Sequence, residues 1–116
     1  MKTWESKTVK YNSGCGRLYV TIDANEFGKP IHCFVQSING CPATMNTIGR
    51  YISNDLEDGD KTIERIVKPL KKTVCSACVN NPNADGKSCC ELIARALLNF
   101  DKPDTKQPIK RLQSPF

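Results

Sequence analysis

Cys75-Ser-Ala-Cys78 and, after a polar turn, Ser88-Cys-Cys-Glu-Leu-Ile-Ala-Arg-Ala-Leu97 form the stretch around which the rest of the chain is arranged. Ser88 and Glu91 have the spacing of a capping box, and apolar residues follow at helical spacing, so a helix is predicted to begin here. The two adjacent cysteines then lie in its first turn, where free backbone N–H groups and the helix dipole favour a thiolate. Because a thiolate is the form of cysteine that binds metal, this helix start is predicted to be one wall of a metal site.

The length of the chain and its number of cysteines limit the classes of protein to which it can belong. A chain of 116 residues is expected to form one main domain, and a core of that size gains from a structural metal. The N-terminus lacks the apolar region of a secretion signal, and no apolar run is long enough to cross a bilayer. Seven cysteines, an odd number, then argue for a cytoplasmic, reducing compartment in which metal ligation explains the thiols. Disulfides are the alternative if the chain is exported.

The net charge of +5 narrows the choice of partner. Basic side chains are scattered among acidic ones and are not interleaved with aromatic residues, unlike a nucleic-acid-binding surface. Nucleic acid is therefore not expected as a partner. We expect a protein partner, and a nucleotide ligand is the second option.

The first third of the chain has the pattern of a sheet. Strands are predicted over residues 8–11, 17–23 and 31–38, and the clearest of them alternates Leu18, Val20 and Ile22 with polar residues. Turn residues separate the three segments. Successive strands joined by turns predict an antiparallel meander with one buried face.

The helices follow the sheet and predict an α+β fold. A first helix is predicted from Pro42, which suits the first helical position, to a stop at Gly59. A second is predicted over residues 61–68, where Pro69 should end or kink it, and the third starts after Ser88. The fold is thus a three-stranded meander packed against about three helices, with a four-cysteine metal site.

The last residues differ in composition from the domain. Residues 101–116 contain three prolines among charged and polar side chains and little that could be buried. We therefore divide the chain into a metal-binding domain, residues 1–100, and an extended tail, residues 101–116, that is flexible or docked on a partner.

Each cysteine can be weighed by its place among the predicted elements. Cys33 alternates with apolar residues in the third strand and is expected to be a small buried hydrophobe, and Cys90 is a poor ligand because it adjoins another cysteine. The remaining candidates lie at ends of elements, where ligands of a shared site usually lie, and four thiolates suit tetrahedral zinc. The predicted ligands are Cys15, Cys41, Cys75 and Cys89, with Cys78 as a possible substitute because of its CxxC spacing.

No catalytic constellation is visible in the sequence. His32 is the single histidine and has no carboxylate close to it in sequence, so no catalytic role is assigned to it. Several acidic residues between Asp55 and Asp60 are interpreted as a solvated helix end. We therefore expect no enzymatic activity from the chain alone.

Four segments of the chain resemble a known domain family. Cys15-Gly-Arg-Leu-Tyr-Val-Thr-Ile22 is similar to the family's CGxLYVTI segment, and Gly40-Cys41 followed by residues 48–53 is similar to its GC…LGRLIS helix. Residues 70–75 are similar to LKGIxC, and residues 88–97 to the name-giving SCPDAIAKAL, with Cys-Glu in place of Pro-Asp. These motifs identify residues 8–98 as similar to the TSCPD domain.

The resemblance implies a function that composition alone does not. TSCPD domains occur at the C-terminus of adenosylcobalamin-dependent (class II) ribonucleotide reductases and in small stand-alone proteins, and they are thought to bind metal. The family's recurring cysteines fall on Cys15, Cys41, Cys75 and Cys89. The cysteine layout and the element order are also similar to those of iron–sulfur scaffold proteins.

The sequence thus leads to one expected function and two alternatives. The expected function is a non-enzymatic zinc-binding module that acts as an accessory or interaction protein, since the reductase barrel is missing. One alternative is an iron–sulfur or metal scaffold or carrier. The other is a phage or mobile-element protein that binds a host protein or a nucleotide ligand.

Overall fold

Three strands, four helices and a further strand follow one another along the chain. The computed structural model describes residues 5–39, 41–100 and the backbone of residues 110–113. The elements are β1 Glu5–Asn12, β2 Arg17–Ala24, β3 Pro30–Ile38, α1 Pro42–Asp58, α2 Ile63–Lys72, α3 Ser76–Val79, α4 Cys89–Leu98 and β4 Lys110–Gln113. The predicted α+β class is confirmed.

The sheet is the antiparallel meander that the alternation predicted, and it has one buried face. Its strand order is β3-β2-β1-β4. In the register of the meander, Val9 lies opposite Val20 and Val20 opposite Val35, and all three side chains are buried. The neighbouring rows on this face are buried in the same way, and they include the polar residues Lys7 and Ser37.

The fourth strand was not predicted. Lys110–Gln113 pairs antiparallel with β1, with Ser6 opposite Leu112. It lies inside the predicted tail, whose residues 101–109 and 114–116 are outside the described residues. The prediction that those residues are flexible or docked on a partner stays a prediction.

Helix α1 covers the outer edge of β3. Pro42 occupies its first turn and Gly59 closes it in a left-handed conformation with φ 72°, as the sequence predicted. A Cβ on Gly49 would come 3.1 Å from the carbonyl oxygen of Cys33, so the helix approaches the strand backbone closely. Ser53 Oγ accepts from the backbone N–H of Cys33 at 2.9 Å and donates to its carbonyl at 3.0 Å. The helix thereby satisfies edge groups of β3 that have no strand beside them.

Helices α2 and α4 contribute further side chains to the core beneath the buried face of the sheet. Helix α4 begins at the predicted capping box: Ser88 Oγ accepts from the N–H of Glu91 at 2.9 Å. Its side chains Leu92, Ile93 and Ala96 are buried in the core, and α2 packs against α4. Lys7 is buried beside them and donates to the carbonyl of Phe100, just beyond the end of α4.

The predicted end of the second helix at Pro69 was wrong. Helix α2 continues through Pro69 to Lys72. Pro69 cannot donate to the carbonyl of Arg65, but both residues are exposed, so water can satisfy that carbonyl. The short helix α3 was not predicted, because a single turn is too short to show apolar residues at helical spacing.

No helix in the described part of the chain is both long and apolar enough to span a membrane.

Candidate metal centre

The predicted ligands lie at four different element ends. Cys15 is in the turn between β1 and β2, and Cys75 is the N-cap of α3. Cys89 is the first residue of α4, and Cys41 is the N-cap of α1. The substitute ligand Cys78 lies inside α3. All seven cysteines are unbridged.

Four of these thiols converge near the β1–β2 turn. The thiols of Cys15 and Cys78 lie close enough to the Cys75 sulfur to help lower its pKa. Cys89 lies close enough to Cys15, Cys75 and Cys78 for charge on those sulfurs to raise its pKa. The group therefore contains three of the four predicted ligands, and Cys78 completes it.

A close backbone approach holds this group together. Gly14 N–H donates to Cys78 Sγ at 3.1 Å, and a Cβ on Gly14 would overlap the backbone carbonyl of Ala77. Only glycine therefore lets the β1–β2 turn lie this near to α3. A CxxC spacing predicts a possible pair, but contact between the pair and a distant glycine turn is not readable from the sequence.

Hydrogen bonds of the loop before α4 fix the same approach. Asp85 N–H donates to the carbonyl of Asn12 at 2.7 Å, and the N–H of Asn12 donates to the Asp85 carboxylate at 2.7 Å. Arg95 of α4 donates to the carbonyl of Asp85 at 2.9 Å, and Cys75 N–H donates to the carbonyl of Lys87 at 2.8 Å. The loop, the hairpin and α4 thus meet at the thiols.

The thiols differ in how readily they ionise. Backbone N–H groups of Cys78 and Ala77 that point at Cys75 lower the pKa of its thiol, despite some desolvation. Desolvation raises the pKa of Cys89 to about 11, although a hydrogen bond from Ser13 opposes this. Desolvation and the neighbouring sulfurs, Cys75 first among them, raise the pKa of Cys15. Cys75 is therefore expected to become a thiolate before Cys15 and Cys89.

Cys41, Cys33 and Cys90 stand apart from this group. Cys41 is exposed and acts on it only through a charge effect that raises the pKa of Cys15. Cys33 is fully buried in the core, as predicted, and burial raises its pKa to about 12. Cys90 is half-buried, and desolvation raises the pKa of its thiol, although the nearby Thr73 hydroxyl opposes this.

The converging thiols are not in the geometry of a preformed metal site. Among residues 5–39 and 41–100, no group of three or more His, Cys, Asp or Glu side chains is arranged to hold a metal ion. Metal binding at this place would need the sulfurs to draw closer. The donor set itself suits a soft metal, because it consists of thiols with one of them poised to ionise.

His32 has carboxylate partners that sequence proximity did not indicate. Its Nε2 lies 2.7 Å from Glu57 Oε1, on α1, and its Nδ1 lies 3.7 Å from Asp23 Oδ2, on β2. Asp23 also accepts a hydrogen bond from Ser6. Glu57 belongs to the acidic segment that was interpreted as solvated, and the strand register places Asp23 directly opposite His32.

One comparison with known proteins gives a match. The family model of the TSCPD domain matches residues 2–100. The chain belongs to the TSCPD domain family. Neither a curated protein nor a solved structure matches it. The match covers all four converging thiols of this TSCPD domain, together with Cys41.

Proposed function

We propose that this TSCPD domain is a zinc-stabilised binding module that acts as an accessory or interaction protein and is not itself an enzyme. The observation that supports this proposal is the convergence of Cys15, Cys75, Cys78 and Cys89 from three separate parts of the chain. All four thiols are unbridged, and four thiolates are a common ligand set of structural zinc.

The donor chemistry fits zinc and suggests the ligand set. Cys15, Cys75 and Cys89 would supply three thiolates, and the fourth would come from Cys78 or Cys41. The contacts favour Cys78, because it lies close enough to Cys75 to help lower the pKa of that thiol and Gly14 donates to its sulfur. For Cys41 the structure gives one link to the group, a charge effect that raises the pKa of Cys15. N–H···S hydrogen bonds, of the kind that Gly14 makes to Cys78, generally stabilise a thiolate that acts as a metal ligand.

The role of zinc would be to link elements, which supports a structural function. Bound by four thiolates, zinc has no open position for water or substrate, which is typical of structural sites. Here it would tie the β1–β2 turn to α3 and to the start of α4. Because such a site does not exist in the unfolded chain, its binding energy becomes folding energy.

Metal analysis of the full chain, purified anaerobically without chelator, tests this proposal. We expect a zinc-to-protein ratio near one, and thiols that react slowly with a disulfide reagent until a chelator is added. A protein that carries no metal and whose thiols in the group react freely would contradict the proposal.

An iron–sulfur scaffold is the second candidate, and the exposure of two thiols favours it. Cys15 and Cys41 are both solvent-exposed. A cluster that is handed to another protein needs ligands that a partner can reach, whereas a structural zinc does not. A brown protein with absorbance in the visible range, and cluster transfer to an apo-ferredoxin, would support this candidate over zinc.

A binding role is supported by the apolar rim of the thiol group. Val74 and Val79 flank the Cys75–Cys78 segment, and they are 61% and 57% exposed. Exposed apolar residues beside an ordered site are typical of contact surfaces. We expect Val74→Ser combined with Val79→Ser to keep the zinc and to lose a cross-linked protein partner that Phe27→Ser retains. Loss of the partner from both variants would point to a general change in solubility instead.

A further inference from the structure

A groove lies on the side of the sheet that faces away from the core. Its floor is the outer face of β2 and β3, and its wall is one face of α1. The groove has a volume of about 800 Å³, which is within the range of about 300–1,000 Å³ for small-molecule sites. None of the four converging thiols lines it.

The floor offers an aromatic surface to solvent. Phe34 is 54% exposed at the middle of β3, and the His32 ring lies 5.9 Å from it at a tilt of 45°. Tyr19 lies on the neighbouring strand, one row along from Phe34. A large apolar ring held this open on a rigid strand can stack against a flat ligand ring.

The wall and the neighbouring strand carry polar side chains that make no hydrogen bonds with the described part of the protein. Arg50, Asn46 and Asn54 line the groove at helical spacing on α1, and Gln36 lines it from β3. Their side chains make no hydrogen bond or ion pair with any residue in the described ranges, in contrast to Ser53 and Glu57 on the same helix. Three amides and one guanidinium therefore remain for a ligand.

The charges in the groove limit the size of an anionic ligand. Arg50 is the one lysine or arginine among the described lining residues, and Glu57 lies further along the wall, where it is paired with His32. A nucleic-acid strand needs a track of cations along its backbone, and here a second phosphate would approach a carboxylate. A single anionic group beside Arg50 suits the arrangement, because a guanidinium binds one phosphate through paired hydrogen bonds.

An added peptide strand does not suit the groove. Such a strand would need the free backbone edge of β3, but α1 covers that edge through Gly49 and Ser53. What remains is a site for a compact molecule with a flat polar ring and one anionic group.

We propose that this groove binds a nucleoside monophosphate, with its base against Phe34, its phosphate on Arg50 and the edge of its base on the amides of Asn54 and Gln36. This inference goes beyond the zinc-module function and does not depend on it, because it uses none of the thiols.

Titration of the full chain with each of the four ribonucleoside 5′-monophosphates, followed by nuclear magnetic resonance and calorimetry, tests the proposal. We expect at least one of them to bind and to shift the amide signals of β3 and α1. Phe34→Ala and Arg50→Gln should each weaken that binding by about tenfold or more. Phe34→Tyr, which keeps a ring, should retain it.

Matched controls separate the groove from general effects. Phe27→Ala removes an aromatic ring that is 84% exposed in the β2–β3 turn, and Arg65→Gln removes an exposed cation on α2. Both should leave the affinity unchanged. Circular dichroism and zinc content report separately whether Phe34→Ala and Arg50→Gln remain folded.

Several results would overturn the proposal. One is that none of the four monophosphates binds at millimolar concentration. Another is that inorganic phosphate or the unphosphorylated nucleoside binds as tightly, since then one half of the ligand is not recognised. A third is that a short single-stranded oligonucleotide binds far more tightly than any monophosphate, which would make the groove part of a nucleic-acid surface.

Discussion

The thiol group and the outer groove are built in opposite ways. The thiol group is made of loops and helix ends whose positions depend on a few close contacts, such as that of Gly14 with α3. The groove is made of side chains such as Phe34 and Arg50 on regular elements, and the sheet register and the helix period set the position of each on its own element. We therefore expect substitutions at the first site to change stability, and substitutions of the exposed groove side chains Phe34 and Arg50 to change binding alone.

The largest expected effect is the loss of a zinc ligand. Cys75→Ser and Cys89→Ser should each abolish zinc binding and lower the free energy of unfolding by about 4 kcal/mol or more, because site formation is coupled to folding. Chemical denaturation and metal analysis measure this. Cys90→Ser, next to a ligand but outside the group, is the control and should keep the zinc.

The same series decides the fourth ligand. If Cys78→Ser releases zinc and Cys41→Ser does not, the contacts in the folded chain have identified the ligand correctly. If instead Cys41→Ser releases zinc and Cys78→Ser does not, Cys41 is the fourth ligand, and the loops must rearrange when the metal binds.

A smaller effect is expected from crowding the turn beside the thiols. Gly14→Ala would press a methyl group into the backbone of Ala77, and we expect a loss of about 3 kcal/mol, at the upper end for overpacking. Gly28→Ala is the matched control: at φ 78° it has no atom within 4 Å, so only the left-handed conformation costs about 1 kcal/mol. Equal losses from the two variants would show that the Gly14 contact is not needed.

A still smaller effect is expected at the wall of the groove. Ser53→Ala removes both hydrogen bonds to the Cys33 backbone and should cost about 1–2 kcal/mol in denaturant unfolding. Thr47→Ala, whose exposed hydroxyl only donates to the carbonyl of Ala43 in its own helix, should change stability by less than about 0.5 kcal/mol. If Ser53→Ala is as mild as Thr47→Ala, α1 is held by its apolar face alone.

The smallest effect concerns the reactivity of the thiols in the metal-free protein and involves no change in stability. Because the pKa of Cys75 is lowered and that of Cys89 is raised to about 11, iodoacetamide near neutral pH should modify Cys75 well before Cys89. Cys33, fully buried with a pKa of about 12, should stay unmodified until the chain unfolds. Mass spectrometry of timed digests gives the order, and early modification of Cys89 would contradict the assigned environments.

Local signals explain why much of the fold could be predicted. The alternation in β2, the proline and glycine that bound α1, and the Ser88 capping box each act within a few residues. The missed elements lack such signals. Helix α3 is one turn long, and β4 has a sequence that forms a strand only because the edge of β1 is beside it.

The two sites also differ in how far local sequence signals could predict them. Cysteine is a rare residue type, so the positions of Cys15, Cys75 and Cys89 at the ends of elements were enough to predict that they lie near one another. The CxxC spacing made Cys78 a possible substitute ligand. Phe34 and Arg50 are ordinary residues in a sequence. Only the packing of α1 along the edge of β3 brings them to one groove, and a tertiary contact of that kind leaves no local pattern.

The covering of both sheet edges has a consequence for how the chain behaves at high concentration. Helix α1 occupies the edge of β3, and β4 occupies the edge of β1 from Glu5 to Thr8. The outermost strand on that side is then β4, which is only four residues long, so the edge that it offers for pairing with another molecule is short. A shortened chain that ends before Lys110 would expose four backbone positions of β1, and fibrillar or oligomeric growth should begin at that rim.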